Sequence, residues 1–149
     1  MSNLVIDAGG NVFGTTDAGG TGCGNGSIGY GTVFKLSHST GTWKEQILHR
    51  FNVTDGANPG GDLAMDSAGN LYGTTSGGGT VCTTCGTIFT LRPNGTAWQF
   101  AKLYNFSNFS GGMEPTGGVT LDAFGNLFGT TAYSQPFGTY GTVFELSPQ

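Results

Sequence analysis

The chain has 149 residues, of which 29 are glycine and only 9% are charged, whereas the charged share of an average globular protein is about 25%. A net charge of −4 with five basic residues excludes a phosphate-binding surface, so we expect no nucleic-acid partner. The 11 Phe, 5 Tyr and 2 Trp exclude disorder driven by charge. No apolar run reaches the length of about 18 residues that a membrane span needs, so we expect no membrane insertion.

Three ten-residue segments align without gaps, and each has the pattern Asp-x-x-Gly-Asn-x-x-Gly-Thr-Thr. They are residues 7–16, 66–75 and 122–131. Each is followed by Gly-Thr-x-Phe-x-Leu, at residues 31–36, 86–91 and 141–146. A third motif runs from a Trp to a Phe and occurs twice, at residues 43–51 and 98–106. The chain is therefore an internal repeat.

Each repeat unit predicts four short antiparallel strands, which we call a, b, c and d in chain order. Strand a precedes the Asp-x-x-Gly-Asn turn, strand b follows it, strand c carries Gly-Thr-x-Phe, and strand d runs from Trp to Phe. Strands b and c alternate with period two and are bounded by Gly, Asn and Pro. Four antiparallel strands are typical of a β-propeller blade. The predicted fold is all-β, a single repeat domain with blade 1 at about 1–59, blade 2 at about 60–115 and an incomplete blade 3 at about 116–149.

On these motifs the chain resembles the Gloeobacter/Verrucomicrobia-type repeat of bacterial surface and secreted proteins, and it is similar to other propeller blades with Asp-x-x-Gly-Asn-Leu-Tyr/Trp. The resemblance implies an extracellular or cell-surface bacterial protein, although residues 1–7 lack the pattern of a signal peptide. It implies no catalytic residues, so we expect no enzyme.

The number of predicted blades is too small for a closed propeller, which needs about four to eight. Two chains would supply six blades, so we expect a homo-oligomer and favour a dimer that forms a six-bladed ring. A fragment of a longer array and a head-to-tail filament built by strand donation are the alternatives. The predicted function is self-assembly or scaffolding at the bacterial surface.

The repeated acidic residues resemble calcium ligands, but their pattern lacks the alternating oxygen ligands and closing Glu of an EF-hand loop. A structural role in the turn between strands a and b is favoured, with Asp accepting backbone N–H groups. The turn residues are Asp7, Asn11, Asp66, Asn70, Asp122 and Asn126. We expect no metal and no cofactor.

The three cysteines are Cys23, Cys82 and Cys85. The spacing of Cys82 and Cys85 would suit a redox motif or half a zinc site, but no second pair and no helix accompany it. A local disulfide is favoured, and it fits an oxidising extracellular setting. Cys23 is left over, either free or linking two chains.

A second hypothesis is a lectin-like ligand site on the face that carries the loops between strands b and c. These loops differ among the three copies, whereas the a–b turns keep their length, and variable loops on a fixed scaffold suit recognition. Aromatic rings with Asn and Asp suit a neutral glycan. The candidate ligand residues are Asp17, Asn25, Tyr30, Asp55, Tyr133, Phe137 and Tyr140.

Overall fold

The computed structural model describes residues 3–24, 27–107, 112–134 and 140–147, and within these ranges the chain contains strands and no helix. The first sheet has the order β1 (Val5–Ile6), β2 (Val12–Thr16), β5 (Thr32–Ser39) and β6 (Thr42–Arg50). The second has β7 (Ala64–Met65), β8 (Leu71–Thr75), β9 (Thr87–Asn94) and β10 (Ala97–Asn105). The third has β11 (Thr120–Leu121), β12 (Leu127–Thr131) and β13 (Thr142–Leu146).

All neighbouring strands are antiparallel, so each sheet is a meander: strands a, b, c and d lie side by side in blades 1 and 2, and strands a, b and c in the described part of blade 3. The predicted all-β, propeller-like blades are confirmed. A two-stranded hairpin, β3 (Cys23–Gly24) with β4 (Ser27–Ile28), lies in the b–c loop of blade 1, which the sequence predicts as a loop without strands.

The glycine of strand b has the same neighbour in every blade. Gly14, Gly73 and Gly129 each lie opposite the Phe of strand c in the β-ladder. A Cβ atom on Gly73 would approach the Phe89 ring to 2.6 Å. The ring of strand c therefore lies across a position that only glycine leaves open.

Each blade has two apolar faces because its strands alternate with period two. We call the face with Phe13 and Val33, and its counterparts in the other blades, the forward face. The rear face carries Val12, Phe34 and Leu36 and their counterparts.

The forward face of blade 1 packs against the rear face of blade 2. This first buried cluster consists of Phe13, Val33, Phe51, Leu63, Leu71, Phe89 and Leu91. The second cluster joins blade 2 to blade 3 in the same way and consists of Tyr72, Cys85, Ile88, Phe106, Val119 and Leu127. Edge-to-face ring contacts cross both junctions. The ring centroids of Phe51 and Phe89 are 5.1 Å apart, and those of Phe106 and Phe144 are 5.2 Å apart. The blades are thus stacked sheets whose core lies between them.

The linker from strand d to the next strand a bridges two blades through its backbone. Asn58 donates its N–H to the Tyr30 carbonyl and accepts from the N–H of Ser76. In the next linker Glu114 donates to Cys85 and accepts from Ala132. Asn58 and Glu114 share a left-handed backbone, with φ of 56° and 55°. The two linkers therefore connect blade 1 to blade 2 and blade 2 to blade 3 with the same backbone hydrogen bonds and the same backbone conformation.

The three Phe residues of strand c provide a direct test of this stacking. Phe89 is fully buried between two blades, whereas Phe34 and Phe144 are only half-buried. We expect Phe89→Ala to lower the free energy of unfolding by about 3–5 kcal/mol, the usual cost of truncating a core Phe, and Phe34→Ala and Phe144→Ala to cost clearly less. Denaturant unfolding at a concentration where the chain is monomeric measures the three losses. Equal losses would contradict the burial order.

Candidate functional site

The turns between strands a and b hold their carboxylates within the turn itself. One oxygen of Asp7 accepts the N–H groups of Gly9 and Asn11 at 2.9 Å, and the other accepts the side-chain amide of Asn11 at 2.7 Å. Asp66 and Asp122 repeat this arrangement with Asn70 and Asn126. Both oxygens of each carboxylate are thus engaged by the chain. No cluster of metal-ligating side chains is found among the described residues.

A pair of threonines closes the other end of strands b and c, a feature that the sequence analysis missed. The hydroxyls of Thr75 and Thr87 lie 2.8 Å apart and are fully buried in blade 2, and Thr75 also accepts the N–H of Thr87. The same pairs in the other blades are Thr16 with Thr32 and Thr131 with Thr142. Threonines recur in both motifs, so pairing strands b and c in register would have predicted these hydroxyl contacts from the sequence.

His49 lies at the junction between blades 1 and 2. Its ring stacks in parallel on Phe100 of blade 2, with 3.8 Å between the centroids, and touches Phe51 edge to face. Its Nε2 atom lies 3.2 Å from Asp55, which also accepts from the backbone and side chain of Asn52. Burial lowers the pKa of His49, and the Asp55 carboxylate opposes that shift only in part.

The structure places the described residues of the predicted glycan site in different environments. Tyr30 is half-buried against the first cluster, Asp17 is exposed, and Asp55 is committed to His49 and Asn52. Tyr133 and Met113 exchange two backbone hydrogen bonds, and Tyr133 is 41% exposed. The predicted ligands Asn25 and Phe137 lie outside the described residues.

A polar pocket of about 200 Å³ is present on the loop side, but other residues line it: Asn58, Ser76, Gly77, Thr83, Thr84 and Glu114. The Cys82 and Cys85 sulfurs, close by in the same loop, are within bonding distance, with their Cα atoms 5.5 Å apart.

Exposed apolar side chains lie on both end faces of the stack. On the forward face of blade 3, Phe128, Tyr140 and Val143 are 36%, 78% and 80% exposed. Their counterparts in blade 2, Tyr72, Cys85 and Ile88, are 7%, 0% and 1% exposed. These positions are therefore core positions wherever a further blade covers them.

The rear face of blade 1 shows the complementary exposure. Leu4 is 57% exposed, whereas its counterparts Leu63 and Val119 are 5% and 6% exposed. Ile6, on the same side of strand a, is 66% exposed. The two end faces are thus the two halves of the contact that already occurs twice inside the chain. An alignment of the three copies could have identified the two end faces from the sequence. Residues buried at a blade junction and residues exposed at the ends of the stack occupy the same motif positions.

These observations define a class of protein: a tandem β-repeat whose propeller-type blades stack face to face. The chain belongs to the Gloeobacter/Verrucomicrobia repeat family, whose model matches residues 1–149, as the motifs predict. No curated protein and no solved structure matched the chain. No helix of the described residues is long and apolar enough to cross a membrane.

The turn carboxylates predict an acid-dependent loss of stability. Burial alone would raise the pKa of Asp66, but the hydrogen bonds from Asn70, Tyr72 and Ala68 outweigh it, and the pKa is lowered. The pKa values of Asp7 and Asp122 are lowered as well. A carboxyl with a lowered folded pKa stabilises the fold above its unfolded pKa of about 3.9, and this stabilisation is lost as the pH falls through the folded value.

We therefore expect the unfolding free energy to fall as the pH drops below about 4. In the triple variant Asp7→Asn, Asp66→Asn, Asp122→Asn that fall should be smaller, since no carboxylate remains to be protonated in the turns. Denaturant titrations at pH 3 and pH 7 measure the difference. An equally steep fall in the variant would show that the turns do not carry the effect.

His49 predicts a second pH effect in a separate window. Because its pKa is lower in the folded state, the unfolded chain binds more protons just below the unfolded value of about 6.5, so stability decreases as the pH falls from there toward the folded pKa. The facing charged groups are Asp55 and, on strand d of blade 2, Lys102, which donates to the Thr54 carbonyl.

Blade 2 supplies the control variant, since Tyr104 occupies the counterpart position. His49→Tyr should keep an aromatic ring on Phe100 and remove the pH dependence that begins below about 6.5. Melting temperatures of both proteins across that range test this. A slope that persists in His49→Tyr would assign the effect to another group.

Proposed function

We propose that the protein is a non-catalytic repeat module of the bacterial surface or of secreted bacterial proteins, and that it assembles with further copies of itself through its two end faces. The observation that supports this most is the exposure pattern. Val143 is 80% exposed at a motif position where Val33 and Ile88 are 0% and 1% exposed. The contact partner that such a position has inside the chain is the rear face of another blade.

The chemistry of the two end faces matches that partner. The rear face of blade 1 offers Leu4, Val12, Phe34 and Leu36, as the rear face of blade 2 offers Leu63, Leu71, Phe89 and Leu91 to blade 1. Burial of apolar surface favours such a contact by about 25 cal/mol per Å². The contact is heterologous, with the forward face of one chain on the rear face of the next.

Two geometries follow from a heterologous contact. If the stacking angle closes after six blades, two chains form a ring with two identical junctions; if it does not, the chains grow into a filament. We favour the six-bladed ring because the blade-to-blade relation inside the chain is that of stacked propeller-type sheets. The Cys82 and Cys85 pair supports an oxidising, extracellular setting.

Substitutions at each end separately test the assembly. The wild-type chain should have twice its 15.3 kDa mass in solution. Val143→Glu and Leu4→Glu each place a charge in the proposed contact and should weaken it by about 2 kcal/mol or more, which is at least about 30-fold in Kd. Gln99→Glu, at an exposed position of strand d in blade 2, adds the same charge elsewhere and should leave the mass unchanged. Light scattering after gel filtration measures all four proteins.

Mixing the two end variants distinguishes a heterologous contact from a symmetric one. Val143→Glu keeps an intact rear face and Leu4→Glu an intact forward face, so the mixture should form a heterodimer with one junction. A wild-type chain that remains at 15.3 kDa at high concentration would overturn the proposal. A mass that grows without limit would favour the filament over the ring.

A further inference from the structure

The polar pocket on the loop side of blade 2 has a volume of about 200 Å³. It lies where the linkers before and after this blade meet the b–c loop, and its lining residues are Asn58, Ser76, Gly77, Thr83, Thr84 and Glu114. A cavity on the order of 150 Å³ holds a benzene ring. The pocket therefore has room for one six-membered ring that carries small polar groups.

Glu114 departs from the repeat at this pocket. It occupies the linker position of Asn58, and both residues have a left-handed backbone, with φ of 55° and 56°. Asn adopts this conformation more readily than Glu. The Asn58 side chain also donates to the Asp17 carbonyl at 3.1 Å, whereas a carboxylate has no N–H to donate to the counterpart carbonyl of Ser76. Glu114 thus fits its position less well than Asn would, and residues held in this way are typical of functional sites.

Several oxygen atoms converge on the pocket without a partner from the protein. Within the described ranges, no group donates to the Glu114 carboxylate, and the hydroxyls of Thr83 and Thr84 have no hydrogen-bond partner. At the floor, the Asn58 Oδ1 atom and the Thr83 carbonyl oxygen lie 3.6 and 3.5 Å from the point that a Cβ atom on Gly77 would occupy. None of the lining residues is cationic. The pocket therefore suits a ligand that supplies several hydrogen-bond donors.

The protein holds these oxygen atoms in place through its own backbone. The Glu114 N–H donates to the Cys85 carbonyl at 2.9 Å, and the Ser76 hydroxyl donates to the Asn58 carbonyl at 3.1 Å. Both linkers are thus bonded to the loop. The sulfurs of Cys82 and Cys85, within bonding distance, flank the two threonines of the pocket. A site that is fixed before its ligand arrives loses less entropy on binding.

We propose that this pocket binds one neutral sugar residue through its hydroxyl groups. A sugar ring carries several O–H donors on adjacent carbons, which matches several acceptors around one small pocket. The Glu114 carboxylate would repel an anionic ligand, and an apolar ligand would leave the oxygen atoms without partners. No residue of the pocket belongs to the ligand set predicted from the sequence, and none lies on the two end faces. Assembly and sugar binding can therefore fail separately.

The probes are the methyl glycosides of glucose, galactose and mannose, each titrated to about 50 mM into the isotope-labelled chain. The buffer contains EDTA, so that no divalent cation bridges sugar and protein. For at least one glycoside we expect saturable shifts of the backbone amide signals of Gly77, Thr83 and Thr84, with a Kd of about 1–10 mM for a small open pocket. Tetrahydropyran-2-methanol, which has the ring without its hydroxyls, should shift none of them.

Glu114→Asn gives the second linker the residue of the first. It should weaken sugar binding at least about tenfold, since hydrogen bonds to a charged acceptor are lost, and should not lower the melting temperature, because Asn tolerates the left-handed backbone. Gly77→Ala should abolish binding, because its methyl group would fill the floor at ordinary contact distance from Asn58 and Thr83. Gly60→Ala is the matched control outside the pocket and should keep the wild-type Kd. Neither glycine has a positive φ.

The outcomes that would overturn the inference are equally definite. One is a folded wild-type chain whose pocket amides show no saturable shift with any of the three glycosides. Another is a Kd that stays the same in Glu114→Asn and Gly77→Ala. Binding that appears only when calcium replaces EDTA would assign the pocket to the cation and would also reject direct contact with the sugar. None of these results depends on the mass of the assembly.

Discussion

The structure depends on one constraint: every blade has two apolar faces, and a four-stranded sheet can cover neither of them alone. Period-two alternation puts Leu71 and Phe89 on one side of blade 2 and Tyr72 and Ile88 on the other. Blades 1 and 3 cover the two faces of blade 2, so the whole of β8 is buried. Burial therefore belongs to the stack, and each blade is stable in proportion to the neighbours it has.

The low charge of the chain follows from the same constraint. A stacked blade has to pair its buried polar groups with groups of its own sheet or of the adjacent linker, since an unpaired one costs about 1–3 kcal/mol. Among the described residues, only the Thr90 hydroxyl is a buried side-chain group without a partner. The Thr75 and Thr87 hydroxyls form a hydrogen bond with each other between two apolar junctions. Both oxygens of the Asp66 carboxylate accept hydrogen bonds within their own turn. Polar residues in these motifs therefore hold strand ends and turns.

The sequence was sufficient to predict what is local and repeated. The three blades, their strands and the Asp-x-x-Gly-Asn turns follow from motifs that fix a strand or a turn by themselves. It could not predict contacts that depend on how two blades are rotated against each other, such as the parallel stacking of His49 on Phe100 or the linker position of Glu114. The partial burial of Tyr30 against the first cluster is a further contact of this kind.

Differences between the copies are most informative where the scaffold is the same. The two junctions use one ring arrangement, since His49 meets Phe51 edge to face at 83° and Tyr104 meets Phe106 edge to face at 80°. Exchange of His for Tyr therefore leaves this part of the junction unchanged. What differs is the polar edge of the ring. His49 places Nε2 3.2 Å from Asp55, so the first junction carries a titratable contact within the same ring arrangement.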